Sequence, residues 1–448
     1  MRIRYSTLKD GTPVKKAVVY TQDEHGINFN DVDSEAVYIT DQLKANGYDS
    51  YIVGGAVRDL ILKKKPKDFD IVSAASPARI KKIFRNARII GRRFRLVHVH
   101  FGPKIYEVST FRSLKNGPTS NTFGTIEEDV YRRDFTLNAL FYDPQKQIVV
   151  DYVGGIKDIK EKKIRPIIPL DTIFTDDPVR MIRAVKYGAA TGFKLPLTLK
   201  WKLKKQSELL ASISPSRLTE EILKIINSSA AADIVEALET FGLYRYLQPN
   251  ASRLFHENAD FRERYIKSFR ELNGIVVSGE NSLKKGGAES VESRTQPQGW
   301  VLAALIRDFL EDRIEWTGDS AENYRTAFME ARKFVLPMNP PRVEMDHAVR
   351  LIFGEHGITI KKSRFTERLR RPFHLGEEAE TGGLEEDPPQ PALTVQTSKA
   401  QLAPLAEKKR KRSRRRKKSA DPQQAGVQDA APKPLLPDAK ENRKPVEL

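Results

Sequence analysis

The spacing of apolar positions divides the chain into a front part of short strands and helices and a longer helical part. Ser34 can cap a helix with apolar positions Ala36, Val37, Ile39 and Leu43, and Gly47 ends it. Tyr51, Ile52 and Val53 make a short strand that stops at Gly54-Gly55. A short helix with Arg58 follows, then a second strand predicted to carry Asp68, Phe69, Asp70 and Ile71. Alternation puts Asp68 and Asp70 on one face and Phe69 and Ile71 on the core face. Ser76-Pro77 opens another helix, with Ile80, Ile83 and Phe84 as its apolar side. Arg95 to Phe101 and Ile105 to Phe111 alternate as strands around a Gly102-Pro103 turn, and Ile148 to Val153 is a further strand closed by Gly154-Gly155. Residues 1–33 alternate only briefly, at Ala17 to Tyr20, and read as an extension that wraps the next domain.

From Asp171 the period becomes helical. Thr175-Asp176-Asp177-Pro178 is a helix start, and Asp177, Arg180 and Arg183 share one face at i, i+3 spacing. Ser214-Pro215 starts the next helix, with Leu218, Ile222 and Ile225 inward and Arg217, Glu220 and Lys224 on the polar side. Helical spacing continues through 230–238, 251–270, 300–314, 321–336 and 342–353. The segment 277–299 is rich in Gly, Ser, Glu and Lys and reads as a disordered insertion. After about Phe373 no periodicity remains, and a disordered tail is expected. The expected divisions are an extension 1–33, a head 34–165, a helical neck 166–250, a helical body 251–372 and a tail 373–448.

Composition narrows the class. With 448 residues there is room for about three domains. There are no cysteines, so disulfides and thiolate metal sites are excluded. The first eleven residues lack the apolar core of a secretory signal, no run is long enough for a membrane span, and a cytoplasmic location is expected. The net charge is +18, and ten of the basic residues lie in Lys408 to Lys418, which leaves +8 for the rest. A polyanion, nucleic acid first, is the partner such a charge suits; a merely solubilising tail is the plainer reading.

Chemistry concentrates on the carboxylates. Gly54-Gly55 before a helix permits close approach of a phosphate, and Asp68 with Asp70 sits on the next strand. Each signal alone is weak, since glycine turns and solvated acidic pairs are common. Together they fit metal-assisted nucleotide transfer. Glu107, 37 positions after Asp70, is a charged residue on an otherwise apolar strand and becomes the third candidate ligand if that strand adjoins. Oxygen ligands alone suit Mg²⁺ or Mn²⁺. Arg132, Arg133 and Asp134 open an apolar segment, where plain i, i+4 ion pairs at a helix cap are the bland alternative. Asp177 and Arg180 form either a surface ion pair of little worth or a donor–acceptor pair for a base edge, since adenine offers N6–H to a carboxylate and N1 to a guanidinium.

These segments occur in a telling order: Gly54-Gly55-Ala-Val-Arg58-Asp59, Asp68-Phe-Asp70, Glu107-Val-Ser-Thr-Phe-Arg112, Arg132-Arg133-Asp134-Phe-Thr, Asp151-Tyr-Val-Gly154-Gly155, Asp177-Pro-Val-Arg180, then Arg217 and Glu220. The series resembles the bacterial class II nucleotidyltransferases, which include tRNA CCA-adding enzymes and bacterial poly(A) polymerases. Gly91-Arg-Arg-Phe-Arg-Leu-Val-His98-Val, Asn121 to Asp129 and the arginine-rich tail are most similar to the polymerase branch, whereas the segment between Arg112 and Glu127 is shorter than that branch leads one to expect.

The resemblance implies an α+β fold: a small mixed β-sheet head, then an all-helical neck and body and a disordered basic tail. It implies that Asp68 and Asp70 bind two Mg²⁺ ions (Mn²⁺ as a substitute), that Glu107 assists, and that Asp134 counts with the catalytic acids. Gly54, Gly55 and Arg58 would cradle the phosphates of ATP. Arg132, Arg133 and Asp134 would surround the sugar, Arg112 and Arg183 would join the nucleotide site, and Asp177 with Arg180 would read the base with support from Arg217 and Glu220. RNA 3′ ends would be held by Arg92, Arg93 and Arg95 and by the tail residues Lys408, Lys409, Arg410, Lys411, Arg412, Arg414, Arg415 and Arg416. The implied activity is template-independent addition of AMP to RNA. The alternatives are CCA or A addition to tRNA, and a non-catalytic RNA-binding protein on the same fold.

Overall fold

The computed structural model describes residues 2–7, 13–91, 96–113, 122–282, 298–317 and 320–360, all within the unit Met1–Phe373. Nine strands form one mixed sheet: β1 (Arg2–Thr7), β2 (Pro13–Tyr20), β3 (Ser50–Val53), β4 (Asp70–Ser73), β5 (Ala87–Ile90), β6 (Leu96–Phe101), β7 (Lys104–Thr110), β8 (Leu140–Asp143) and β9 (Ile148–Asp151). Their order is β1-β2-β9-β8-β3-β4-β7-β6-β5. Among the described ladders only β4 with β7 is parallel. The segment read as an N-terminal extension supplies β1 and β2, and β2 pairs with β9.

The central strand β3 is buried on both faces, which explains its unbroken apolar sequence. One face of the sheet presents Ile52, Ile71, Val97, Val99, Val108 and Tyr142 to the main core, against Ile39 and Leu43 of the helix Ser34–Ala45 and Ile80 of the helix Pro77–Ile83. Tyr51, Val53, Val72, Phe111, Phe141 and Val150 form a smaller core on the other face. Asp70 begins β4 on this second face, two residues before Val72.

β4 begins two residues later than its sequence suggests. Val53 opposite Asp70 is the last pair of β3 and β4. Gly54 then turns away with φ 73° and ψ −133°, a region closed to residues with a Cβ. Asp68 therefore has no strand to pair with and lies in the loop that enters β4. β5 escapes detection because it is a four-residue edge strand with three exposed positions.

The remaining chain is helical, with successive helices including Val179–Thr191, Pro215–Ile226, Ala231–Thr240, Pro249–Glu257, Ala259–Ser282, Gln298–Glu311, Ser320–Phe334 and Arg342–Glu355. Buried Phe261, Tyr265, Phe269, Phe309, Phe334 and Phe353 continue the main core into this half. The architecture is a mixed-sheet head followed by helices, as expected. The helix Ala259–Ser282 runs six residues into the segment 277–299; 283–297 and the tail lie outside the described residues. No described helix is long and apolar enough to cross a membrane.

Candidate active site

Register brings the acidic residues together. Ile71 of β4 pairs with Val108 of β7 in parallel, so Asp70 and Glu107, one residue earlier on each strand, stand side by side. His98 of β6 is opposite Glu107, with Nε2 3.6 Å from Oε1. A Cβ on Gly54 would lie 3.8 Å from Asp70 Oδ2 and 3.9 Å from Arg133 Nη1, so the glycine turn adjoins the carboxylate.

Asp70 is exposed at the start of β4, yet protein crowds its carboxyl, which is raised to about 6. Burial is the first cause, followed by the charges of Glu107 and Asp68, while Arg133 and Lys224 pull the other way. Neither Asp68 nor Asp70 makes an ion pair or side-chain hydrogen bond among the described residues. Two unbridged carboxylates that repel each other are what a hard divalent cation would stabilise, so the donor set fits such an ion. No three acidic or histidine side chains among the described residues are gathered tightly enough to hold an ion as they stand, and Glu107 is half exposed.

The arginines are arranged by acids that sequence reasoning passed over. Asp129, fully buried in the helix Ile126–Tyr131, accepts from Arg132 Nε at 2.8 Å and from Arg133 Nε and Nη2 at 3.1 and 2.9 Å. It also accepts from the Arg112 amide at 3.2 Å. Burial alone would push this carboxyl up, but Arg133 and Arg132 hold it below its ordinary value. Arg133 Nη1 donates to the Asn138 carbonyl at 3.1 Å, and Arg58 Nη1 to the Asn138 side chain at 2.8 Å. Asp134 accepts from the Phe135 amide at 2.7 Å and faces Arg183 Nη1 at 3.7 Å.

The helical segment contributes a second set. Arg217 Nη2 reaches both oxygens of Asp177 at 3.0 Å. Arg180 does not pair with Asp177; its Nη1 donates to the Ile173 carbonyl at 3.2 Å. Arg183 Nε donates to Glu221 at 3.2 Å and Lys186 Nζ at 2.7 Å. Burial opposes ionisation of Glu221, yet Lys186 and Arg183 hold its carboxyl low. Glu220, the neighbour singled out in the sequence, is exposed. A signal for Glu221 existed: it lies three residues after Leu218 and four before Ile225, on the apolar stripe, where a carboxylate must be paired. Asp129 likewise stands three and four residues before two arginines.

Asp151 is structural. It accepts from the amides of Val153, Gly154, Gly155 and Ile156 at 2.8–3.0 Å, and a Cβ on Gly155 would strike the Thr136 carbonyl at 2.4 Å. Arg92, Arg93, Arg95 and the tail residues from Lys408 to Arg416 lie outside the described residues.

Residues 50–165 match the model of the poly A polymerase head domain, and 192–255 match that of a probable RNA and SrmB-binding site of polymerase A. Poly(A) polymerase I of Escherichia coli O6:H1 is 41% identical over 338 residues, covering 72% of this chain and 70% of the relative. The CCA-adding enzyme of Geobacillus stearothermophilus is 37% identical over 219 residues, covering 48% and 54%. Among solved structures, the Bacillus stearothermophilus CCA-adding enzyme in complex with CTP matches with a TM-score of 0.46 at 27% identity, covering 72% of this chain and 82% of that one.

Proposed function

The chain belongs to the class II nucleotidyltransferase family and is a nucleotidyltransferase, and we propose that it adds AMP from ATP to RNA 3′ ends without a template. The 3′-hydroxyl oxygen attacks the α-phosphorus, the bond to the β-phosphate oxygen breaks, and pyrophosphate leaves. Two Mg²⁺ ions held by Asp68 and Asp70, with Glu107 beside them, would supply Lewis-acid activation of the hydroxyl and charge neutralisation at the triphosphate. Gly54 leaves room for phosphate next to Asp70, and Arg58 is held toward the same site through Asn138. Arg132 and Arg133, fixed on Asp129, would bound the sugar beside Asp134. Asp177 and Arg180 would read adenine, with Arg217 orienting the Asp177 carboxylate. The basic tail would add phosphate contacts that weaken with salt.

The observation that carries the choice of polyadenylation is the relation to poly(A) polymerase I, which extends over more of the chain than that to the CCA-adding enzyme. The test offers the purified protein ATP and CTP with an arbitrary RNA and with a tRNA lacking its CCA end. Long adenylate tails on both RNAs are expected. Incorporation of C followed by a stop after one A would sink the reading in favour of CCA addition.

A further inference from the structure

The end of the helix Pro215–Ile226 rests on the loop that enters β4: Lys67 Nζ donates to the Asn227 carbonyl at 2.6 Å, and Lys67 directly precedes Asp68. Lys224, one turn before Asn227, therefore stands beside the carboxylate cleft, and its charge acts on Asp70. Its ion pair is with Glu221, at 3.8 Å. That carboxylate is already taken by Lys186 at 2.7 Å and Arg183 at 3.2 Å. Three cations share one anion, and Lys224 is both the farthest and the most exposed, 57% against 32% for Arg183 and 12% for Lys186. Its charge is the surplus one.

This surplus cation does not bridge to Asp68 or Asp70, although they lack any other ion pair among the described residues. The site thus has two unbridged negative groups and, near them, an exposed positive group. A metal–polyphosphate carries the complementary charges in the same order: a cation for the carboxylates and anionic oxygens for the ammonium. We propose that Lys224 binds the β- and γ-phosphates of the incoming metal–nucleotide, and pyrophosphate after transfer. This rests on the assignment of Asp68 and Asp70 to the metal.

The test measures equilibrium binding of ATP and of AMP with Mg²⁺ and no RNA, so no transfer occurs, in wild type, Lys224→Ala and Lys224→Arg. Lys224→Ala is expected to weaken ATP about tenfold, the scale of one charge-assisted hydrogen bond, and AMP less than about twofold. Lys224→Arg restores most of the loss, and inhibition by pyrophosphate weakens in step with ATP. Unchanged ATP binding would overturn the proposal. So would equal loss of ATP and AMP, which would make Lys224 a prop for its helix. Mn²⁺ binding without nucleotide is expected to be no weaker in Lys224→Ala, and a loss there would assign Lys224 to the carboxylates instead. Asp70→Ala tests the underlying metal assignment separately, since it alone is expected to abolish Mn²⁺ binding. The Lys224 effect should be of similar size with any nucleoside triphosphate, so an error about adenine would leave it intact.

Discussion

Two groups of acids are treated in opposite ways. Asp129 and Glu221 are buried and saturated, the first by Arg132 and Arg133, the second by Arg183 and Lys186. Asp68 and Asp70 face the cleft with no such partners, and Asp70 is raised to about 6 by crowding and by its acidic neighbours. The saturated acids are scaffold: their charge is spent on holding cations that would otherwise scatter. The unsaturated ones keep affinity for something that is not protein. A carboxylate's partners, more than its presence in a motif, separate the two roles.

The contrast breaks most sharply by substitution. Asp70→Ala is expected to lower AMP transfer by about a thousandfold or more with the fold retained, because it removes stabilisation of the transition state by several kcal/mol. Transfer near the wild-type rate would remove Asp70 from the metal site. Asp129→Ala should do the reverse first: it leaves Arg132 and Arg133 without their buried carboxylate and is expected to cost about 3–5 kcal/mol in urea unfolding. Its activity loss then follows from disorder in the arginines.

Acidity sharpens the same comparison. The folded value for Asp70 lies above that of an ordinary aspartate, so between about 4 and about 6 the folded state binds more protons than the unfolded one. Stability of the metal-free protein should therefore fall as pH rises through that window, opposite to the sign for a paired acid such as Asp129. Melting curves in chelator at pH 4.5 and 7 would show it, with Asp70→Asn removing the contribution. A wild type and an Asp70→Asn protein that differ by the same margin at both pH values would contradict it.

Smaller effects are expected at the neck. Arg217→Ala breaks a half-exposed pair with Asp177, so the stability change should stay below about 1 kcal/mol while discrimination between ATP and CTP weakens. Smallest of all, Glu220→Gln should change neither stability nor transfer measurably, whereas Glu221→Gln should cost about 3 kcal/mol. Equal behaviour of the two variants would erase the distinction between the exposed and the buried neighbour.

Much of this was legible in the residues. The glycine turn, the acidic pair and the strand with Glu107 follow from local pattern, because strand alternation and glycine freedom act over a few residues. Their mutual register was not legible, since nothing local specifies that Ile71 pairs with Val108. The edge strands β1 and β5 were missed for another reason: they are short hairpin strands, and a pattern of apolar residues left exposed, as at Ile89 and Ile90, does not mark a core-facing strand. The pairing of Asp177 with Arg217 in place of Arg180 could not be read from helical spacing, as the partner lies 40 residues away on another helix. Segments that favour the polymerase branch, around Arg92 to Arg95, fall outside the described residues.

The parallel pairing of β4 with β7 also has a kinetic side. Such a pair needs a long crossover, here through the helix Pro77–Ile83 and the hairpin arm β5–β6, before Asp70 and Glu107 can meet. Loop-closure entropy must be met before that contact forms, which places it late in folding relative to the local hairpin of β6 and β7. A chain emerging from the ribosome would thus hold a structured β6–β7 arm before it holds three neighbouring carboxylates. The acidic cleft, costly to assemble without a counter-ion, closes only once the apolar strands beneath it are in register.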